Sequence, residues 1–153
     1  MMSLKESPGK YKSKSQTLSK PRKVGVRVGG LVPAKKAPMA VPVKAAWISA
    51  LQGQAYRPCF NLRNGTCFSA LGVLCDLHLQ KVKNGEWIPV IDYGHEFSYS
   101  TGIFRRKWIC LLPENVGTWA KVSEVHAENI MRIQDALPDN HYSEVVKYIN
   151  KFL

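Results

Sequence analysis

The twenty residues from Cys59 to His78 constrain this chain most. They read C-F-N-L-R-N-G-T-C-F-S-A-L-G-V-L-C-D-L-H. In the first half Phe60 and Leu62 alternate with polar residues, and Cys67-Phe68 resumes an extended run after Asn64-Gly65. Asn-Gly is the strongest short hairpin signal, because a type I′ turn needs φ > 0 at both central positions. The second half, Ala70 to His78, is an apolar run of helical length. The stretch therefore predicts a hairpin that feeds a core helix anchored by Leu71, Val73, Leu74 and Leu77.

Charge divides the chain in two. The first 46 residues hold 11 Lys/Arg and one acid, Glu6, a balance of +10. Residues 47–153 hold 11 Lys/Arg and 10 acids, a balance of +1. A basic arm on a nearly neutral body points to a polyanion or an acidic protein surface as the arm's neighbour. Lys10, Lys12, Lys14, Lys20, Arg22, Lys23, Arg27, Lys35 and Lys36 alternate there with Ser, Gly and Pro. That composition offers little apolar surface to offset the entropy of ordering. The expected division is a basic, largely irregular arm over 1–43 and a compact domain over 44–153. The arm reads either as a solvated tail or as a segment that orders inside an assembly. The segment from Val24 to Gly30 has the composition to add a short strand to a partner.

Six further elements, with a loop or hairpin tip among them, follow from the residue pattern. Val43, Ala46, Trp47, Ala50 and Leu51 have helical spacing, and Gly53 stops it. Trp87 to Ile91 reads as a strand, which Pro89 pushes to a sheet edge. Gly94 to Gly102 reads as a loop or hairpin tip, and Ile103 to Leu112 as a short strand. Leu112 to Trp119 reads as a short helix with proline at its first turn. From Glu124, Ala127, Ile130, Ile133 and Leu137 share a helical face. Tyr142, Val145, Val146, Ile149 and Phe152 form the clearest amphipathic stripe. The fold class is α+β: small antiparallel hairpins or a small sheet packed with four or five short helices.

Several residues invite chemistry. Cys75 and His78 are at i, i+3 on one helix, with Cys67 close in sequence. A structural zinc needs four tetrahedral ligands, and neither Cys59 nor Cys110 stands in C-x₂₋₄-C spacing. No metal or other cofactor is expected. Cys67 or Cys75 with a histidine would be the minimum for a thiol nucleophile, but thiols in an apolar helix run are inert. Asp92, His95 and Glu96 have the residue types for acid–base work or for a hard cation, and are read as a polar, exposed loop. Arg105-Arg106-Lys107 before Trp108, near Tyr93, Phe97, Tyr99 and Phe104, would hold phosphates and stack bases. Simple strand alternation explains the same residues. No phosphate loop, G-x-S-x-G or H-E-x-x-H motif occurs. Residues 1–30 hold no apolar segment of signal-peptide length, so secretion through a signal peptide is not expected.

The motifs together resemble a family of small uncharacterised proteins common in bacteriophages and bacteria. Trp47-x-x-Ala50-Leu51-x-Gly53-x-x-Tyr56 is similar to its A-L-R-S-G-x-Y element, with the Gly one position earlier. Ala70 to Leu77 matches C-C-L-G-V-L-C-D-L, and Leu112-Pro113-x-x-Val116-x-x-Trp119-Ala120 matches L-P-x-x-V-x-x-W-A-G. The match runs over roughly 44–153. Ser69 and Ala70 stand where the family has its Cys pair, and Lys121 where it has Gly. The resemblance implies a phage or prophage setting and no known activity. The expectation is a non-enzymatic interaction protein, a virion component such as a minor capsid or capsid-binding protein, tethered by its arm to other subunits. It would reside in the virion or the cytoplasm of the infected bacterial cell, away from membranes. The alternatives are a sequence-independent nucleic-acid-binding protein and a small Cys- or metal-dependent enzyme.

Overall fold

The computed structural model describes residues 30–91, 94–101, 110–137 and 142–153. Most of the arm, including Lys10, Lys12, Lys14, Lys20, Arg22, Lys23 and Arg27, lies outside them. So do the Arg105-Arg106-Lys107 triplet, Asp92, Tyr93 and nearly all of the strand expected over 103–112.

Among the described residues the elements run α1 (Val41–Gln52), β1 (Arg57–Pro58), β2 (Arg63–Asn64), β3 (Cys67–Phe68), α2 (Ala70–Val82), β4 (Glu86–Pro89), β5 (Glu96–Ser100), α3 (Glu114–Ala120), α4 (Glu124–Asp135) and α5 (Ser143–Phe152). The class is α+β. The sheet order is β1-β3-β2-β5-β4. It is mixed, because β1 pairs in parallel with β3 while the other pairs are antiparallel.

The helix α2 forms for reasons readable in the chain. Ser69 caps it, its hydroxyl accepting from the Gly72 amide at 3.0 Å. This removes one unpaired donor of the first turn. Lys83 closes the other end in the left-handed region at φ 56. Leu71, Val73, Leu74 and Leu77 are all buried. α1 packs on α2 and α5, and α4 packs on both of them. Trp47, fully buried, donates its indole N–H to the Ala70 carbonyl at 2.9 Å. Gln134 accepts from the Ala70 amide and donates to the Cys59 carbonyl. Tyr142 donates to the Phe68 carbonyl at 2.6 Å. Three helices thus grip the backbone of the stretch between Cys59 and Ala70.

The structure shifts three expectations. The hairpin loop is Gly65-Thr66, one residue later than Asn64-Gly65, because Asn64 pairs with Cys67. Only Gly65 has positive φ there, at 57°. Glycine first in the loop is the pattern of a type II′ turn. Gly94 to Gly102 is not simply a loop: Glu96–Ser100 is an inner strand of the sheet. Phe97 and Tyr99 sit two apart on one face, which is strand periodicity. The first helix starts at Val41 rather than Val43, with Pro42 in its first turn, where a missing N–H costs nothing. Pro89 does stand on an edge strand, as its missing donor requires.

Candidate interaction site

Residues 30–39 lie in no regular element, yet they are fastened to α4 and α5 by their backbone. Arg132 Nη1 donates to the Gly30 carbonyl at 2.6 Å. Asn129 makes a two-point contact with Val32: its Oδ1 accepts from the amide at 2.7 Å and its Nδ2 donates to the carbonyl at 2.8 Å. His126 Nε2 contacts the Lys35 carbonyl at 3.0 Å. The amides of Ala37 and Met39 donate to the carbonyls of Phe152 and Leu153, both at 3.0 Å. Met39 is buried, whereas Lys35 and Lys36 point outward and are exposed. All of these contacts use the strap's backbone rather than its side chains.

The clamp is itself a directed network. A carbonyl only accepts, so His126 Nε2 carries the proton it gives to Lys35. In the neutral ring Nδ1 then accepts from the Tyr148 hydroxyl at 2.8 Å. Tyr148 in turn accepts from Asn129 Nδ2 at 3.0 Å. Asn129, His126 and Tyr148 are 1%, 2% and 5% exposed. Buried polar groups of this kind are costly unless paired. Here each is paired, and the strap supplies part of the pairing. Burial also raises the Tyr148 phenol above its ordinary value.

None of these three residues was expected from the sequence. A signal existed, though. His126 and Asn129 interrupt the apolar face formed by Ala127, Ile130 and Ile133, and Tyr148 adjoins Ile149. Polar groups at core positions demand partners.

The Cys59–His78 region has a different chemistry from the one its cysteines suggested. Cys75 is fully buried, and burial drives its thiol well above the ordinary value. Burial, then hydrogen bonding to the Cys67 thiol, pushes Cys59 up to about 12. Burial also raises Cys110. These thiols are held protonated, and the thiolate is the reactive form. Among the described residues no group of three or more His, Cys, Asp or Glu is placed to hold a metal ion. Asp76 accepts from Tyr56 at 2.7 Å, Gln80 at 2.9 Å and Trp87 at 3.1 Å. Its carboxylate joins two of the resemblance motifs, because Tyr56 ends one and Asp76 lies in the other. Burial, then the hydrogen bond to Asp76, raises Tyr56 to about 12.

His78 meets the Tyr99 hydroxyl at 3.0 Å and stacks edge-on against Trp119. Burial lowers its pKa from 6.5, so the folded protein favours the neutral ring. Below pH 6.5 the unfolded chain takes up a proton that the fold resists. The His78 contribution is therefore complete above pH 6.5 and is lost as pH falls toward the depressed value. The urea midpoint should drop between pH 7.5 and pH 5. A His78→Phe variant should show a shallower drop, and equal slopes would count against this assignment.

The aromatic surface is also rearranged. Tyr99 is buried rather than displayed. Arg63 lies over Phe97 at 4.5 Å, with Phe68 at 5.3 Å and Trp87 at 5.6 Å. Such contacts contribute about 0.5–2 kcal/mol each by burial. Glu96 accepts from Asn61 at 2.6 Å, and His95 is exposed. Of the candidate site residues Lys35 and Lys36 are described, and the others lie outside the described residues. Among the described residues no helix is long and apolar enough to cross a membrane.

A family model described as a domain of unknown function (DUF8296) matches residues 39–151. No curated protein and no solved structure matches the chain.

Proposed function

The chain belongs to the DUF8296 family, a domain of unknown function, and from its own residues we propose a non-enzymatic interaction protein of a large assembly. The observation that carries this reading is the seat of residues 30–39. Six backbone hydrogen bonds fasten that strap to α4 and α5. Everything N-terminal of Gly30 therefore starts from a fixed point on the body. Residues 1–29 carry eight Lys/Arg and one acid, a balance of +7. The body is the anchor and the arm is the electrostatic tether.

The most concrete form is a phage virion component, minor capsid or capsid-binding, with other subunits as partners. This form rests on the resemblance of the three motifs to the phage and bacterial family. Purified particles should contain the chain at a fixed copy number; its absence from them removes this form.

A second reading is supported by the arm's composition. Tyr11 is the one aromatic in residues 1–29. Basic charge without stacking side chains suits phosphate contacts that ignore base sequence. A sequence-independent nucleic-acid-binding protein would lose roughly 10³–10⁵ in affinity between 50 and 200 mM salt for six to ten phosphate contacts. Affinity that does not change with salt would exclude it.

A further inference from the structure

The thiols of Cys59 and Cys67 meet where β1 runs alongside β3. The two strands pair in parallel, with Arg57 opposite Cys67 and Pro58 opposite Phe68. The Cys59 amide extends that pairing by donating to the Phe68 carbonyl at 3.0 Å. Side chains alternate along a strand, so Cys59 lies on the face that Arg57 shares with Cys67. The two thiols are within hydrogen-bonding reach of one another. Cys67 Sγ also donates to the Asn64 carbonyl at 2.8 Å, and Cys59 Sγ to the Asn61 carbonyl at 3.5 Å. Both residues are half-buried, whereas Cys75 is sealed in the core. Cys110 bonds instead to the Asn61 side chain at 3.3 Å.

We propose that Cys59 and Cys67 form an oxidant-dependent disulfide, made by exchange with a low-molecular-weight disulfide such as oxidised glutathione, which fastens β1 to β3. The exchange balances in two steps. The Cys67 sulfur gives its proton to solvent and attacks one sulfur of the oxidant; that S–S bond breaks and one thiol leaves. The Cys59 sulfur then loses its proton and attacks the Cys67 sulfur of the mixed disulfide; the Sγ–Sγ bond forms and the second thiol leaves. Two electrons and two protons pass from the cysteines, and the oxidant ends as two thiols. Burial, then hydrogen bonding and charge at Cys67, hold Cys59 protonated, so the first attack falls to Cys67. The part of that restraint due to Cys67 disappears once Cys67 is in the mixed disulfide, which frees Cys59 for the second step.

The local geometry accommodates the link. Sulfurs already in contact need only close to the ~2.05 Å of a disulfide bond. Cys59 gives up its bond to the Asn61 carbonyl, which keeps the Ser69 amide as a donor at 3.0 Å. β1 is a two-residue strand at the edge of the sheet, so a covalent tie secures the element with the fewest bonds of its own. Nothing in this chemistry involves the arm, so it stands apart from the tether reading.

The test oxidises the folded full chain to equilibrium in a mildly alkaline glutathione buffer poised toward the disulfide. Remaining thiols are alkylated in denaturant, and the protein is digested with trypsin and read by mass spectrometry without reduction. Trypsin cuts after Arg63, between the two cysteines. The link therefore appears as two joined peptides in which Cys75 is alkylated, and reductant separates them. Cys67 is eight positions from Cys59 and eight from Cys75, so in the urea-unfolded chain the two pairings should form about equally. In the folded protein Cys59–Cys67 should exceed Cys67–Cys75 by about tenfold or more, because the second pairing requires the core to open. Recovery of Cys59 and Cys67 both alkylated, or as separate glutathione adducts, overturns the proposal. So does a link from either of them to Cys110, or the same ratio of pairings in the folded and unfolded chain.

Discussion

Gly72→Ala should abolish cooperative folding. A Cβ built on Gly72 stands 1.7 Å from the Leu62 carbonyl oxygen and 2.6 Å from its carbon. The neighbour is backbone, so no rotamer change relieves the clash. Neither side has room to retreat. Ser69 donates its amide to the Asn61 and Leu62 carbonyls at 3.0 and 3.2 Å while its hydroxyl caps α2. Leu62 is fully buried, as are Val73 and Leu74 on the helix. Separating the helix from the 61–62 bend would also pull Trp47 and Gln134 off Ala70. Overpacking typically costs about 1–3 kcal/mol, and a backbone clash between two fixed elements belongs to the rare class above about 4–5. That is comparable with the whole stability of a small domain. The expected observation is loss of the sigmoidal urea transition. Gly65→Asn is the control: its added Cβ meets nothing within 4 Å and asparagine tolerates positive φ. It should keep the transition with a small shift. A Gly72→Ala protein that melts like the wild type would refute the close approach.

Asn129→Ala should cost about 2–4 kcal/mol, because it strips three hydrogen bonds from a site 1% exposed. The Val32 amide and carbonyl lose both partners together. Tyr148 loses its donor, so the link to His126 weakens as well. Asn129→Asp separates geometry from shape. Its carboxylate still accepts from the Val32 amide but confronts the Val32 carbonyl with charge. Both variants should speed amide exchange at Val32, Ala37 and Met39, and speed tryptic cleavage at Lys35 and Lys36. A merely structural asparagine would lower the melting temperature without singling out those strap positions. Unchanged exchange at Val32 would contradict the clamp.

These two residues mark how far the sequence could be read. The α2 hub was legible because Leu71, Val73, Leu74 and Leu77 carry a strong apolar pattern and each lies inside. The amphipathic stripes of α4 and α5 were legible for the same reason. Gly72 stood in a motif, but a glycine inside a helix run does not announce which backbone approaches it. The one-residue shift of the hairpin loop depends on which residues pair across β2 and β3, and Asn-Gly alone leaves that register open. The Glu96–Ser100 strand was hidden by the loop-like glycines around it. The clamp was hidden by distance along the chain: Val32 and Asn129 are 97 positions apart. Composition described residues 1–46 as one basic segment, whereas backbone hydrogen bonds attach residues 30–39 to the body. On the strap's side those bonds are made by groups that every non-proline residue carries, so the pattern of its own side chains does not encode them.

The cysteines illustrate the reverse case, a sequence feature with more apparent chemistry than its surroundings allow. Cys75 and His78 share a helix face, but His78 turns to Tyr99 and Trp119 while Cys75 is sealed in the core. Their environment explains them as packing. The functional weight of the account therefore rests on the arm and on the strap that seats it.

Equilibrium binding of the full chain to an acidic probe tests that weight most directly. Two probes suffice, a short DNA duplex and poly-glutamate, each compared between the wild type and a variant with Lys10, Lys12, Lys14, Lys20, Arg22, Lys23 and Arg27 all changed to Gln. The account predicts that the variant keeps the wild-type melting temperature and loses about a hundredfold or more in affinity for both probes at low salt. Undiminished binding by the neutralised arm would contradict it.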